Sequence, residues 1–262
     1  MSIRRVLSIA CCALLLGAQA RAETLVEASV EVRGDAVAPG ALAVSPETRL
    51  ADVFRASQVN AEGFWLGAAW LQPSLEPAQK RLKAGILFDL GLLKNKALLD
   101  RQPGRAALAK RLYTTFAALP VTGRRVQVLD PVTVEVQPAQ NPLVAPGDRF
   151  LFPRRPTTLR VVGAVASECQ LAFAPLRQAR DYLEECPALP EADPDYLYLI
   201  QPDGQVIRLG IALWNRQDGP PVAPGATLLR PLKATGAART FPRLGAEMAA
   251  FLATQPLPET AP

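Results

Sequence analysis

Residues 144–156 read VAPGDRFLFPRRP, and the same unit returns as VAPGATLLRPLK in residues 222–233, 78 positions later. Each copy joins a Pro-Gly turn to a short apolar run that stops at a proline, the pattern of a turn followed by a strand. A turn-and-strand unit written twice in a chain of 262 residues points to one small domain built twice, because each copy of a repeat is one supersecondary unit. A third VAPG, residues 37–40, falls in a different setting, so the tetrapeptide marks turns and carries no chemistry of its own.

The residues around the two copies run in the same order. From Leu25 onward, Val26, Ala28, Val30 and Val32 alternate with Glu27, Ser29, Glu31 and Arg33, the period of a half-buried strand. Gly34-Asp35 and Pro39-Gly40 supply turns before a second short strand over 41–44. Thr48 reads as the N-cap of a helix whose Leu50, Val53 and Phe54 share a face. Strands follow at 125–129 and 132–136, joined through Asp130-Pro131, and then the first Pro-Gly turn with its closing strand at 149–152. In the second half, 159–165 and 170–173 predict strands, and 175–185 a helix with Leu176, Ala179, Tyr182 and Leu183 inward. Residues 196–200 and 206–209 make a hairpin across Pro202-Asp203-Gly204. This order places one domain at 23–156 and a second at 157–233.

Residues 74–119 interrupt the first domain. Leu82, Ile86, Leu90 and Leu93 recur at helical steps, as do Leu108, Leu112 and Phe116 after the break Arg101-Gln102-Pro103-Gly104. Pro103 suits a first helical position and Pro120 a stop, so the segment reads as an antiparallel helical hairpin, with Lys80, Arg81 and Lys83 as a solvated cluster. Leu244, Met248, Phe251 and Leu252 place an amphipathic helix at 240–254. It has few basic residues for a membrane-surface helix and is expected to dock on its own domain. The tail from Thr254 is expected to be disordered.

The opening MSIRRVLSIACCALLLGAQARA has two arginines, a short apolar run and an Ala-Arg-Ala end, the form of a secretory signal peptide over 1–22. The run is too short for a stable membrane span. Cleavage removes three arginines, taking the net charge from +5 to +2. No basic stripe remains that would suggest nucleic acid. Cleavage also leaves only Cys169 and Cys186 in an oxidising compartment, with one bridge open to them. Two buried free thiols are the alternative, and a redox pair would want a CxxC spacing that the chain lacks. The chain has no histidine, which removes serine-histidine and cysteine-histidine catalysis and most zinc sites. No Gly-rich nucleotide loop or GxSxG elbow occurs, so no cofactor or metal is expected. Carboxylate-pair chemistry is the enzyme class left open.

A small sheet wrapped over one helix, closed by an edge strand that a Pro-Gly turn introduces, is the plan of a β-grasp domain. The expected fold class is therefore α+β, with two tandem β-grasp domains, the helical hairpin inserted in the first, and a C-terminal helix. Segments in the order FWLGAAWLQPSLEPAQKRLK, LPVTGRRVQVLDP, APGDRFLFPRRP, YLIQPDGQV and LWNRQDGPPVAPGA resemble the capsule-biosynthesis GfcC-like family. The resemblance implies a periplasmic, non-catalytic accessory of capsule or exopolysaccharide biosynthesis or export. Its implied partners are the polysaccharide chain itself or a polysaccharide-export outer-membrane protein.

Five side chains stand out for binding. Arg124, following Gly123 where the chain leaves the hairpin, offers a planar fork for a carboxylate or phosphate on an acidic glycan, and the resemblance suggests a pocket arginine in this neighbourhood. Its alternative uses are an ion pair with Asp130 or capping of hairpin carbonyls. Trp65, Trp70, Trp214 and Tyr198 offer faces for sugar rings, although at least one of Trp65 and Trp70, on opposite sides of an extended segment, is expected in the core. For a carboxylate-dependent polysaccharide-modifying enzyme the available acids are Glu184, Glu185, Asp193, Asp195 and Asp203. Adjacent glutamates on a helix do not face each other across a cleft as that chemistry requires.

Overall fold

The computed structural model describes residues 28–59, 63–234 and 240–258, so the signal peptide read at 1–22 lies outside the described residues. The first half comprises β1 (Ser29–Gly34), β2 (Gly40–Ala43), α1 (Leu50–Ser57), β3 (Ala69–Leu71), α2 (Glu76–Leu99), α3 (Pro103–Ala118), β4 (Arg124–Arg125), α4 (Pro131–Val136) and β5 (Arg149–Phe152). The second comprises β6 (Thr158–Gly163), β7 (Cys169–Ala172), α5 (Ala179–Tyr182), β8 (Tyr196–Ile200), β9 (Val206–Gly210), β10 (Thr227–Arg230) and α6 (Leu244–Ala253). The strands make two five-stranded sheets, ordered β2-β1-β5-β3-β4 and β7-β6-β10-β8-β9. Pairing repeats as well. β5 runs parallel to β1 and antiparallel to β3, and β10 runs parallel to β6 and antiparallel to β8.

The duplicated Pro-Gly unit does the same work in both halves. Gly147 and Gly225 sit at φ 85° and 86°, a left-handed conformation that glycine adopts without steric cost. Their N–H groups donate to the carbonyls of Ser29 and Thr158 at 2.8 and 2.7 Å. The strand each turn launches is the middle of its sheet, which corrects the expectation of a closing edge strand. Phe150, Leu151, Phe152, Leu228 and Leu229 are all buried, as a central strand covered on both faces requires. The edges are β2 and β4 in one sheet and β7 and β9 in the other.

Five local expectations change, the first being that the strand read at 125–129 is reduced to β4, Arg124–Arg125. Residues 132–136 are helical, because Asp130 accepts the backbone N–H of Thr133 at 2.8 Å and Pro131 takes the first helical position; together they outweigh the β-branched run. The sheet strand needed at that level is β3, three residues whose alternation is too short to read. The helix expected over 175–185 shrinks to α5 and a 3-10 turn, since Leu176 takes φ 64° and Gln178 is extended. Leu176 is exposed, not inward. Thr48 bonds back to Ser45, and the N-cap is Arg49, whose N–H donates to Asp52 at 2.9 Å.

The helical hairpin α2–α3 replaces the tight turn between β3 and β4, the place that Pro202-Asp203-Gly204 occupies between β8 and β9. It crosses to the other half of the molecule. Ile86, Leu90 and Leu93 of α2, Leu112 and Phe116 of α3, and Met248 and Phe251 of α6 form one core with Ile200 and Leu229 of the second sheet. The opposite face of that sheet packs Leu159, Leu197, Leu199 and Leu228 against Tyr182 of α5. α6, with one charged residue in LGAEMAAFLA, is thus enclosed between the hairpin and β8–β9, and its apolar residues are spread around it instead of forming a single stripe. The chain from Thr254 to Pro258, expected to be disordered, is bound: a Cβ placed on Gly67 or Gly225 would come within 2.8 or 3.0 Å of Leu257.

Cys169 and Cys186 form the single bridge open to them, S–S 2.05 Å, joining edge strand β7 to the end of the α5 turn. A separation of 17 residues corresponds to about 3 kcal/mol of stabilisation through restriction of the unfolded chain. The Cys169→Ser/Cys186→Ser double variant is expected to lose about that much in urea unfolding. An unchanged midpoint would show that the α5 segment is held by packing alone.

Candidate functional site

The alternation of β8 sends Leu197 and Leu199 into the second core and Tyr196 and Tyr198 to the other side of the sheet. β9 supplies Arg208 directly opposite Tyr198. The Arg208 guanidinium lies over the Tyr196 ring, 3.6 Å from its centroid, close enough for a strong cation–π contact. Trp214 stands edge-on to the same ring at 6.3 Å and 90°, and its indole N–H donates to Asp195 at 3.1 Å. Asn215 fixes the loop by donating to the Asp195 carbonyl at 3.0 Å and accepting the Ala212 N–H at 3.0 Å. Trp214 is 71% exposed, so it is an oriented ring whose face is open to solvent.

Behind this ledge a cleft of about 90 Å³ runs between β8–β9 and the start of α6, lined among others by Asp193, Tyr198, Arg208, Phe241 and Gly245. A Cβ on Gly245 would lie 3.1 Å from Pro231 and 3.4 Å from the Tyr198 ring, so the glycine keeps the cleft open. Burial raises the Tyr198 phenol, Arg208 partly opposes this and Asp193 adds to it, which keeps the hydroxyl a donor. Pockets that engulf small molecules run to about 300–1,000 Å³. This cleft has room for one small group.

Arg124 lies elsewhere, in the seam between the halves, 4% exposed. Its Nη1 donates to the carbonyls of Ala253 and Gln255 at 3.3 and 3.2 Å, and its Nη2 to those of Ala68, at 3.2 Å, and Pro202. Both prongs of the fork are therefore engaged by backbone, at the negative end of α6, and no open pair of donors faces a ligand carboxylate. Neither alternative read from the sequence holds, since Asp130 caps α4 and the carbonyls come from outside the hairpin. Burial pushes the Arg124 pKa down to about 10, with Asp203 opposing the fall. Gly123, at φ 72°, brings the chain so close to Gln72 that a Cβ would meet its carbonyl oxygen at 2.3 Å.

Trp70 and Trp65 both belong to the first core. Trp70 is 0% exposed, stacks on Phe150 at 5.4 Å and donates to Asp148 at 2.8 Å. Trp65 packs edge-on to Phe152 at 5.8 Å. Burial leaves Trp70 no face for a sugar and gives Trp65 an aromatic neighbour in its place. Of the five residues singled out, then, the structure brings Trp214 and Tyr198 to one place, around Tyr196 and Arg208, which the sequence reading passed over. The signal was present: Tyr196-Leu-Tyr198 opposite Arg208 in a predicted hairpin puts three polar-tipped side chains on one face.

Four of the five acids, Glu185, Asp193, Asp195 and Asp203, hold local contacts. Asp193 accepts the N–H groups of Asp195 and Tyr196 at 2.8 and 3.1 Å, and Glu185 pairs with Arg177. The wider depression beside α5, about 520 Å³, is lined by Arg180, Asp181, Glu184, Arg216 and Arg230 without an aromatic ring.

Fold and ledge together define a tandem-sheet α+β protein with one oriented aromatic cluster at a sheet edge. The chain matches two family descriptions, "Capsule biosynthesis GfcC, N-terminal" over residues 28–155 and "Capsule biosynthesis GfcC C-terminal" over residues 167–256. It belongs to the capsule biosynthesis GfcC family. A curated relative, "Uncharacterized protein YjbG" of Escherichia coli (strain K12), is 27% identical over 168 residues, 64% of this chain and 66% of the relative. The match thus spans just under two thirds of that relative's length.

Proposed function

We propose that the protein is a non-catalytic periplasmic accessory of capsule or exopolysaccharide assembly or export, and that it holds a polysaccharide chain across the Trp214–Tyr196–Arg208 ledge. The observation that carries this reading is Trp214, exposed yet fixed by Asp195 and Tyr196. A pre-oriented aromatic face binds a pyranose with little ordering cost, and Arg208 beside it suits an acidic sugar. Family membership supports the pathway, and the leader supports export. The repeated order with its parallel central pair supports reading each half as a β-grasp domain. A polysaccharide-export outer-membrane protein would meet the open strand edges or the ledge itself. An enzymatic role is disfavoured by the acids around the ledge, which are engaged as turn and loop acceptors.

Tryptophan fluorescence tests this directly, because Trp70 is buried and Trp65 packed in the core, leaving Trp214 to respond to added ligand. Acidic capsule oligosaccharide is expected to quench the emission and neutral dextran to leave it unchanged. Trp214→Ala should abolish the response, and Gly245→Leu, which fills the cleft and keeps every ledge side chain, should weaken it about tenfold by excluding a substituent of the chain. No response at millimolar oligosaccharide, or an undiminished response in both variants, would defeat the reading; shortening of the polymer on incubation would restore the enzymatic alternative.

A further inference from the structure

α2 is apolar on two opposite sides. One side, Ile86, Leu90, Leu93 and Ala97, is buried in the shared core. The other carries Ala84, Phe88, Leu92 and Leu99 at helical spacing and lies in solvent, with Phe88 65% and Leu99 83% exposed. Gly85 and Gly91 are on this outer side, where an added Cβ would meet nothing within 4 Å. The outward side of a helix packed on a soluble protein normally carries polar residues. Here a ridge about 22 Å long at 1.5 Å per residue is broken only by Asn95, with Arg81 just beyond its N-terminal end. Such a contiguous apolar surface marks an interaction site.

Its charge setting selects the partner. The hairpin, residues 76–118, holds nine Lys and Arg against three Asp and Glu; Lys83 and Arg111 donate to backbone carbonyls and Arg105 is buried, which leaves six cations against three acids, whereas the whole chain beyond the leader nets +2. Lys80 and Lys94 flank the ridge on one side and Lys96 on the other, by helical position. Glu76 and Asp100 are paired with Lys80 and Lys96, which leaves Asp89 as the acid on α2 without an ion pair among the described residues. Arg81, Lys94 and Lys110 likewise have no ion pair among the described residues.

We infer that the outer side of α2 lies on an anionic phospholipid surface. A convex ridge needs no matching groove when acyl chains close around it, and Arg81 and Lys94, which have no ion pair among the described residues, reach the phosphates. A second copy of this chain would set one basic helix face against another. The ledge and its glycan are not needed for this inference.

The test uses the chain from Glu23 onward, which keeps every described residue and lacks the apolar leader that would itself bind lipid. Sedimentation with phosphatidylcholine vesicles containing phosphatidylglycerol is expected to carry the protein down. Phosphatidylcholine alone should not, and high salt should release it. Phe88→Ser and Leu99→Ser should each weaken binding at least about tenfold while leaving the urea midpoint unchanged, and Lys94→Gln should weaken it about fivefold. Failure to bind the anionic vesicles, or binding that ignores Phe88→Ser, overturns the inference. So does a Phe88-dependent dimer in sedimentation velocity, or Phe88-dependent capture of a protein, when vesicle binding is absent.

Discussion

Arg124→Met is expected to lower the unfolding free energy by about 3 kcal/mol, because it strands the buried carbonyls of Ala68, Pro202 and Ala253 and leaves a void among them. The loss should be directional. Arg124 ties the first sheet and the β8–β9 turn to the end of α6, so the variant's C-terminal segment should become accessible to protease before the sheets unfold. Arg124→Lys should recover only part of the loss, since a point charge with three donors cannot reproduce a planar fork spanning four acceptors. The measurement is urea unfolding paired with timed proteolysis and mass analysis of the first cuts. Full stability in Arg124→Met, with loss of the oligosaccharide response, would reassign the residue from a tie between segments to a ligand group.

Trp70→Ala is expected to be the most damaging single change in the first half, at about 3–5 kcal/mol, against a total of about 5–15 kcal/mol for a typical domain. It removes a wholly buried ring stacked on Phe150 and takes from Asp148 one of three donors, the others being Gln72 and the Ala145 N–H at 3.3 and 3.0 Å. Trp70→Phe keeps most of the ring and should isolate the cost of the lost hydrogen bond, about 1–3 kcal/mol. Near-ultraviolet circular dichroism through a urea titration reads both. Trp214→Ala, by contrast, should change stability by less than about 0.5 kcal/mol. Equal losses at positions 70 and 214 would contradict the assignment of one tryptophan to the core and the other to the surface.

The duplication was legible because Pro-Gly turns are demanding: Gly147 and Gly225 hold nearly the same left-handed conformation and make equivalent bonds. The hairpin was legible because two long stretches repeat at helical steps and Pro103 opens the second. Short elements were not. Residues 132–136 carry the composition of a strand, and only the capping pair Asp130-Pro131, which suits a strand connector equally well, tells against it. β3 has three residues, too few for any period, so the sheet position it fills could not be seen. The candidate site failed in sequence for a different reason. Burial decides whether an arginine or tryptophan is available, and the burial of Arg124 and Trp70 comes from segments far away in the chain, Ala253 and Phe150 among them. Tyr198 and Trp214 were visible individually, while their grouping with Arg208 depends on the β8–β9 register.

The place of the hairpin also imposes an order of assembly. β3 and β4 are neighbours in the sheet yet stand on either side of the whole insertion, so their pairing must await closure of a long loop unless α2 and α3 have already zipped together. The zipped hairpin then offers an apolar face whose partners, the second sheet and α6, come later in the chain. In a chain delivered N-terminus first, that face stays uncovered until the last helix arrives to wedge between hairpin and sheet. Completion of the fold therefore waits on α6, and a chain arrested or truncated before Leu244 would display its unfinished state as a sticky helical surface.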